Sequence, residues 1–147
     1  MSVIVWDGKT LAADKQATNA GLVHVCSKIF RIGENLVGFV GDYDYLWGMK
    51  HWLETGANPD DFPAHQRDKD TWVGTFVVTP DGRLLKYERC PYPADFSQNK
   101  IMCMGSGRDF AYGALEMGAD AVRAVEIASK YESTCGMGVD TLTFGDA

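Results

Sequence analysis

The sequence contains no uninterrupted apolar stretch of the roughly 18 residues that a membrane-spanning helix needs, and no basic segment leading into an apolar one near its start. It therefore offers neither a membrane span nor a signal peptide, and a cytoplasmic protein without membrane contacts is expected. Lysine and arginine number 14 against 20 aspartates and glutamates, giving a formal net charge of -6. The cations are scattered singly and form no basic stripe, which argues against a nucleic-acid-binding face. Cysteine is sparse, and Cys26, Cys90, Cys103 and Cys135 lack the C-x-x-C pairing of zinc or redox sites. Three of the four stand in or beside apolar strand-like segments, as buried thiols do. His24, His51 and His65 have no spacing that suggests a metal site or a triad, and no cofactor is expected. There is no internal repeat and no low-complexity tract.

What is present suffices for one compact unit. With 147 residues, 46% of them hydrophobic, the chain is expected to form a single domain over residues 1–147 with a sizeable core. Ser2 to Trp6 has the β-branched and aromatic content of a strand, Asp7-Gly8 is a preferred type I′ turn, and Lys9 to Ala13 reads as the returning strand. A polar turn region follows around Thr18-Asn19-Ala20-Gly21. Ser27 to Ile32 and Asn35 to Val40 read as a strand pair joined across Gly33-Glu34. Tyr43 to Thr55 carries Leu46, Met49, Trp52 and Leu53 at helical spacing and stops at Gly56. Trp47 and Trp52 lie about 140° apart on such a helix, so one covers the core and the other is free for a neighbouring subunit.

The polar stretch through Asn58-Pro59-Asp60-Asp61, Pro63 and Arg67-Asp68-Lys69-Asp70 reads as a surface loop with a little local helix. Trp72 to Thr79 and Leu84 to Glu88 form another hairpin around Pro80-Asp81-Gly82. Pro91 and Pro93 break regular structure from Cys90 to Gln98, and Lys100 to Met104 is a further short strand. Helices are expected over Asp109 to Met117 and Asp120 to Tyr131, with buried faces at Phe110/Ala114/Met117 and Ala121/Val125/Ala128. A last strand covers Val139 to Phe144. Strands joined by tight hairpins on both sides of helical segments indicate a mixed α/β layer protein with mostly antiparallel sheets.

Ser2 stands one position behind Met1 and opens directly into a strand, where an N-terminal nucleophile would sit. The same residues also make a plain first hairpin with an inert serine. Further along, Leu11-Ala12-Ala13-Asp14-Lys15-Gln16-Ala17-Thr18 is a strand end whose aspartate is followed by a polar segment ending in threonine. Ser27-Lys28-Ile29-Phe30-Arg31-Ile32 carries a lysine within a strand, and Val37-Gly38-Phe39-Val40-Gly41-Asp42 ends a strand in a glycine turn. Met104-Gly105-Ser106-Gly107 precedes a helix, and Glu132-x-x-Cys135-Gly136 precedes the last strand. In this order the motifs resemble the proteasome β-subunit and HslV branch of the N-terminal nucleophile hydrolases over nearly the whole chain.

That resemblance implies a four-layer αββα sandwich, an α+β arrangement with two mostly antiparallel sheets. It implies a peptidase that hydrolyses peptide bonds of peptide or protein substrates, using a Ser2 exposed by removal of Met1. Ser2 would be nucleophile and, through its α-amine, base. Lys28 and Asp14 would tune the amine, Gly41 would donate to the oxyanion, and Ser106, Glu132 and Cys135 would complete the hydrogen bonds around it. The family uses threonine where this chain has Ser2, and aspartate and serine where it has Glu132 and Cys135. A homo-oligomer and an ATP-dependent unfoldase partner are implied likewise. The alternative is a non-catalytic assembly or interaction subunit that keeps Met1. Each residue also has a structural reading: Asp14 as a turn residue, Lys28 as a strand charge, Gly41 as a positive-φ turn, Ser106 as a helix cap.

Overall fold

The computed structural model describes residues 2–145. Two strands open it, β1 (Ile4–Trp6) and β2 (Thr10–Asp14), paired so that Val5 faces Ala12. Asp7 N–H donates to the Thr10 carbonyl at 3.3 Å, which makes Gly8 and Lys9 the central turn residues. Of these two only Gly8 has positive φ, at +98°. Glycine at the first central position fits a type II′ turn, so the type I′ turn expected of Asp7-Gly8 is corrected by one residue. The Asp7 carboxylate accounts for the shift by accepting the Lys9 and Thr10 amides at 2.9 and 2.8 Å.

A second hairpin follows, β3 (Gln16–Asn19) and β4 (Leu22–Val25). Here the type I′ geometry is found, because Ala20 and Gly21 both have positive φ, +51° and +81°. The sequence reading assigned only a turn at this place. Then come β5 (Ile29–Ile32) and β6 (Asn35–Gly41), a helix α1 (Tyr43–Glu54), two short 3-10 turns, and the hairpin β7 (Val73–Val78) with β8 (Leu84–Tyr87). A two-residue strand β9 (Ala94–Asp95) lies in the proline-containing stretch expected to be irregular. The chain continues through β10 (Met102–Met104), α2 (Arg108–Glu116), α3 (Ala121–Tyr131) and β11 (Val139–Thr143).

Two larger sheets result, with orders β10-β1-β2-β11 and β5-β6-β7-β8-β9, every pairing antiparallel. Strand alternation divides β1 between two cores. Val3 and Val5 point toward Ala121, Ala124, Val125 and Ala128 of α3, while Ile4 and Trp6 meet Leu36, Phe76 and Val78 of the facing sheet. On the far side of the five-stranded sheet, Leu46, Met49 and Trp52 of α1 cover Val37, Phe39, Val73 and Val77. The layers are thus helices α2 and α3, sheet, sheet, and α1, the expected αββα order. Burying each large apolar side chain between the layers contributes about 1.5–3 kcal/mol.

The starts of α1 and α3 follow their caps. Asp42 accepts the Asp44 amide at 3.0 Å ahead of α1, and Asp120 accepts the Arg123 amide at 2.8 Å ahead of α3. Trp52 is buried and Trp47 is 46% exposed, the division expected from their helical angle. The buried face expected for α2 needs correction. Phe110 and Met117 are exposed and Ala111 is fully buried, with Ala114 only partly so. Phe110 instead stacks on Tyr131 at the edge of α3, ring centroids 5.9 Å apart, so the helix is rotated by one position. Among the described residues no helix is long and apolar enough to cross a membrane.

Candidate active site

Ser2 is 2% exposed, just ahead of β1, and its backbone is held from two directions. Its carbonyl accepts the Gly107 amide at 3.1 Å, and its nitrogen donates to Ser106 Oγ at 3.1 Å. Gly105 lies so close that an added Cβ would stand 2.1 Å from the Ser2 carbonyl oxygen. With φ at +97° as well, only glycine fits there. The Ser2 hydroxyl is buried without a hydrogen-bond partner among the described residues, and Ser2 lines a cavity of about 600 Å³. Such a hydroxyl in a native fold calls for an explanation, and a reactive group awaiting a ligand is one. Met1, whose removal the sequence resemblance implies, lies outside the described residues.

Asp14 ends β2 at 0% exposure and takes four donors. Its Oδ1 accepts the Val3 amide at 3.0 Å and Lys28 Nζ at 2.9 Å; its Oδ2 accepts the Gln16 and Gly136 amides at 3.2 and 3.1 Å. A buried carboxylate needs this degree of satisfaction. Lys28 is 5% exposed, next to β5, and lines the same cavity as Ser2. It is therefore no exposed strand charge, and Asp14 ties β1, β2, Lys28 and the Gly136 turn together. Gly41 closes β6 at φ +119° and lines the cavity too, with Trp72 O 3.2 Å from where its Cβ would be. Its position satisfies the structural requirement for glycine and leaves its backbone at the cavity wall.

Ser106 does not cap α2. The N-cap residue is Gly107, and no side chain caps that helix. The Ser106 hydroxyl instead meets the Ser2 nitrogen and, at 2.8 Å, Thr134 Oγ1. Thr134 in turn donates to Glu132 Oε1 at 3.0 Å, so Glu132 reaches the Ser2 nitrogen only through two hydroxyls. Cys135 is buried, its Sγ 4.0 Å from Ser106 Oγ. Burial first, and then the Asp14 carboxylate, push its thiol pKa up, which keeps it protonated and unreactive.

Of the six residues expected around Ser2, Ser106 meets its nitrogen, Glu132 and Cys135 stand beyond Ser106, and Asp14 holds the adjoining Val3 amide and Lys28, while Gly41 shares only the cavity lining. Thr134 was missed, although it stands inside the Glu132-x-x-Cys135 motif; only its contact with Ser106, 28 residues away, reveals it. His24 and Cys26 were also missed as cavity-lining residues, because β4 was not recognised. Burial raises the Cys26 pKa, with Lys28 opposing.

No family model and no curated protein matches the chain. Solved structures do. BPH from Thiobacillus denitrificans superimposes with a TM-score of 0.70 at 16% identity, covering 99% of this chain and 99% of that one. The same protein in complex with epoxomicin gives 0.69 at 16% identity, with 99% of each chain covered. Eukaryotic HslV from Trypanosoma brucei gives 0.67 at 20% identity, covering 96% of this chain and 97% of that one. The chain has the HslV-type fold, an αββα sandwich of the kind the motifs resemble.

Proposed function

We propose that this protein is a peptidase of the N-terminal nucleophile type, with Ser2 as nucleophile once Met1 is removed. The observation that carries the reading is the buried, unpartnered hydroxyl of Ser2, a residue that lines a cavity together with Lys28 and Gly41. A serine hydroxyl is a weak nucleophile near neutral pH and needs a base. Freed of Met1, the Ser2 nitrogen becomes an α-amine, a class of group that titrates at about 7.7–8.0. The Lys28 ammonium lowers that value and keeps more amine unprotonated, and Asp14 fixes the ammonium in place.

The amine takes the hydroxyl proton as Oγ attacks the scissile carbonyl. The developing oxyanion receives the Gly41 N–H, a type of contact worth roughly 2.7–4 kcal/mol elsewhere. The protonated amine then delivers its proton to the leaving amine, and water resolves the acyl-enzyme by the same steps reversed. Likeness to the epoxomicin-bound Thiobacillus protein supports a site that accepts the same ligand. We further propose a cytoplasmic homo-oligomer over residues 1–147, with an ATP-dependent unfoldase partner. The exposed Trp47 and the exposed Leu22, Val23 and Val25 of β4 support contacts with other subunits.

The test is hydrolysis of fluorogenic peptides by protein beginning at Ser2, by protein retaining Met1, and by Ser2→Ala. Turnover in the first alone is expected. Equal turnover with Met1 attached overturns the amine's role, and none in any form favours the non-catalytic assembly subunit.

A further inference from the structure

We propose that Thr134 is a positioning residue, which directs the Ser106 hydroxyl so that a lone pair, and not a proton, faces the Ser2 nitrogen. This rests on the reading of Ser2 as the nucleophile. Polarity along the hydrogen-bond chain carries the inference. Glu132 Oε1 receives both the Thr134 hydroxyl at 3.0 Å and the Thr134 amide at 3.3 Å. An ionised carboxylate only accepts, so the Thr134 hydroxyl proton is committed to Glu132. Its lone pairs are left for Ser106, 2.8 Å away. The Ser106 proton then goes to Thr134, whose oxygen is nearer than the competing acceptors, the Ser2 carbonyl at 3.4 Å and Cys135 Sγ at 4.0 Å. What remains for the Ser2 nitrogen, at 3.1 Å, is an acceptor.

The consequence falls on the free amine. With Ser106 able only to accept, the amine spends an N–H on it and keeps its own lone pair for the Ser2 hydroxyl proton. After proton capture, the ammonium gives the same bond in stronger, charge-assisted form. Without Thr134 the Ser106 hydroxyl rotates, donates to the amine and occupies the lone pair that catalysis needs. Neither competing acceptor substitutes, since the Ser2 carbonyl at 3.4 Å lies beyond the usual O–H···O range and the Cys135 sulfur is a weak partner at 4.0 Å. The charged groups of the site, Lys28 and Asp14, are bonded to each other at 2.9 Å, with Asp14 holding the adjoining Val3 amide, and neither is hydrogen-bonded to Thr134.

The experiment compares wild type, Thr134→Val and Thr134→Ser, each with a free Ser2 amine and an unchanged circular dichroism spectrum, Thr134→Ala serving if the valine variant fails to fold. Titration of the Ser2 α-nitrogen by NMR in 15N-serine-labelled protein reads the amine directly. Thr134→Val is expected to lower its pKa by about one unit, because the neutral form gains a donor. Peptide turnover should lose about tenfold in kcat with KM within about twofold, and Thr134→Ser should restore both. An unchanged titration in Thr134→Val, or Thr134→Ser behaving like the valine variant, overturns the proposal. Absence of turnover in every protein overturns the peptidase reading instead, while the titration still reports on Thr134.

Discussion

On one side of Ser2, Asp14 and Lys28 are 0% and 5% exposed and locked together at 2.9 Å, with three backbone amides completing the carboxylate's shell. On the other side Ser106 is exposed, Thr134 and Glu132 are half-buried, and a single chain of hydroxyl contacts links them. The charged side is inseparable from the fold: the Asp14 carboxylate satisfies amides of three separate segments. The hydroxyl side hangs on bonds that can each be removed without leaving a charge buried. Removing residues from the first should therefore cost stability and activity together, and from the second activity alone.

Asp14→Ala should give the largest effect, since it removes a fully buried carboxylate shared by the Lys28 ammonium and three backbone amides. A loss of about 3–5 kcal/mol is expected, read from urea denaturation. If Asp14→Ala proves no less stable than Ser106→Ala, the contrast between the two sides is wrong. Lys28→Met should destabilise less, because three amides still hold Asp14. Its effect on kcat should reach about 100-fold or more, with the acid limb of the pH profile moved to higher pH as the amine loses the cation that depresses its pKa. That sign is opposite to the one expected for Thr134→Val, so the two profiles separate the sides of Ser2 directly. Ser106→Ala should change stability by no more than about 1 kcal/mol and still lower kcat. The smallest perturbation probes burial alone. Cys90 is the exposed thiol, whereas Cys26, Cys103 and Cys135 are buried and burial pushes Cys103 up to about 12. One thiol should react rapidly with an aromatic disulfide at pH 8, and three slowly.

Much of the fold was legible because it is written in local chemistry. The β-branched and aromatic content of β1, the helical spacing of Leu46, Met49 and Trp52, and the apolar stripe of α3 all match the observed burial. The β3–β4 hairpin was not legible as strands, because Leu22 to Val25 are exposed on both faces and show no alternation. For α2, two large apolar residues at helical spacing, Phe110 and Met117, outweighed Ala111 in the pattern. In the fold Ala111 joins the cluster of Ala121, Ala124, Val125 and Ala128, and the α2 residues packed beside it are Tyr112, Ala114 and Leu115. The site was legible through the order of its motifs. What those motifs left out is the pairing of distant loops: Thr134 meets Ser106, and Gly136 meets Asp14, across separations that no periodicity encodes.

Covalent capture of the nucleophile tests the central claim most directly. Protein beginning at Ser2 would be treated with epoxomicin or a peptide β-lactone and mapped by mass spectrometry. A single adduct on the peptide that starts at Ser2, absent from Ser2→Ala and from protein retaining Met1, is the expected result. An adduct that persists in Ser2→Ala, or that forms on Cys90 alone, would show that Ser2 is not the nucleophile.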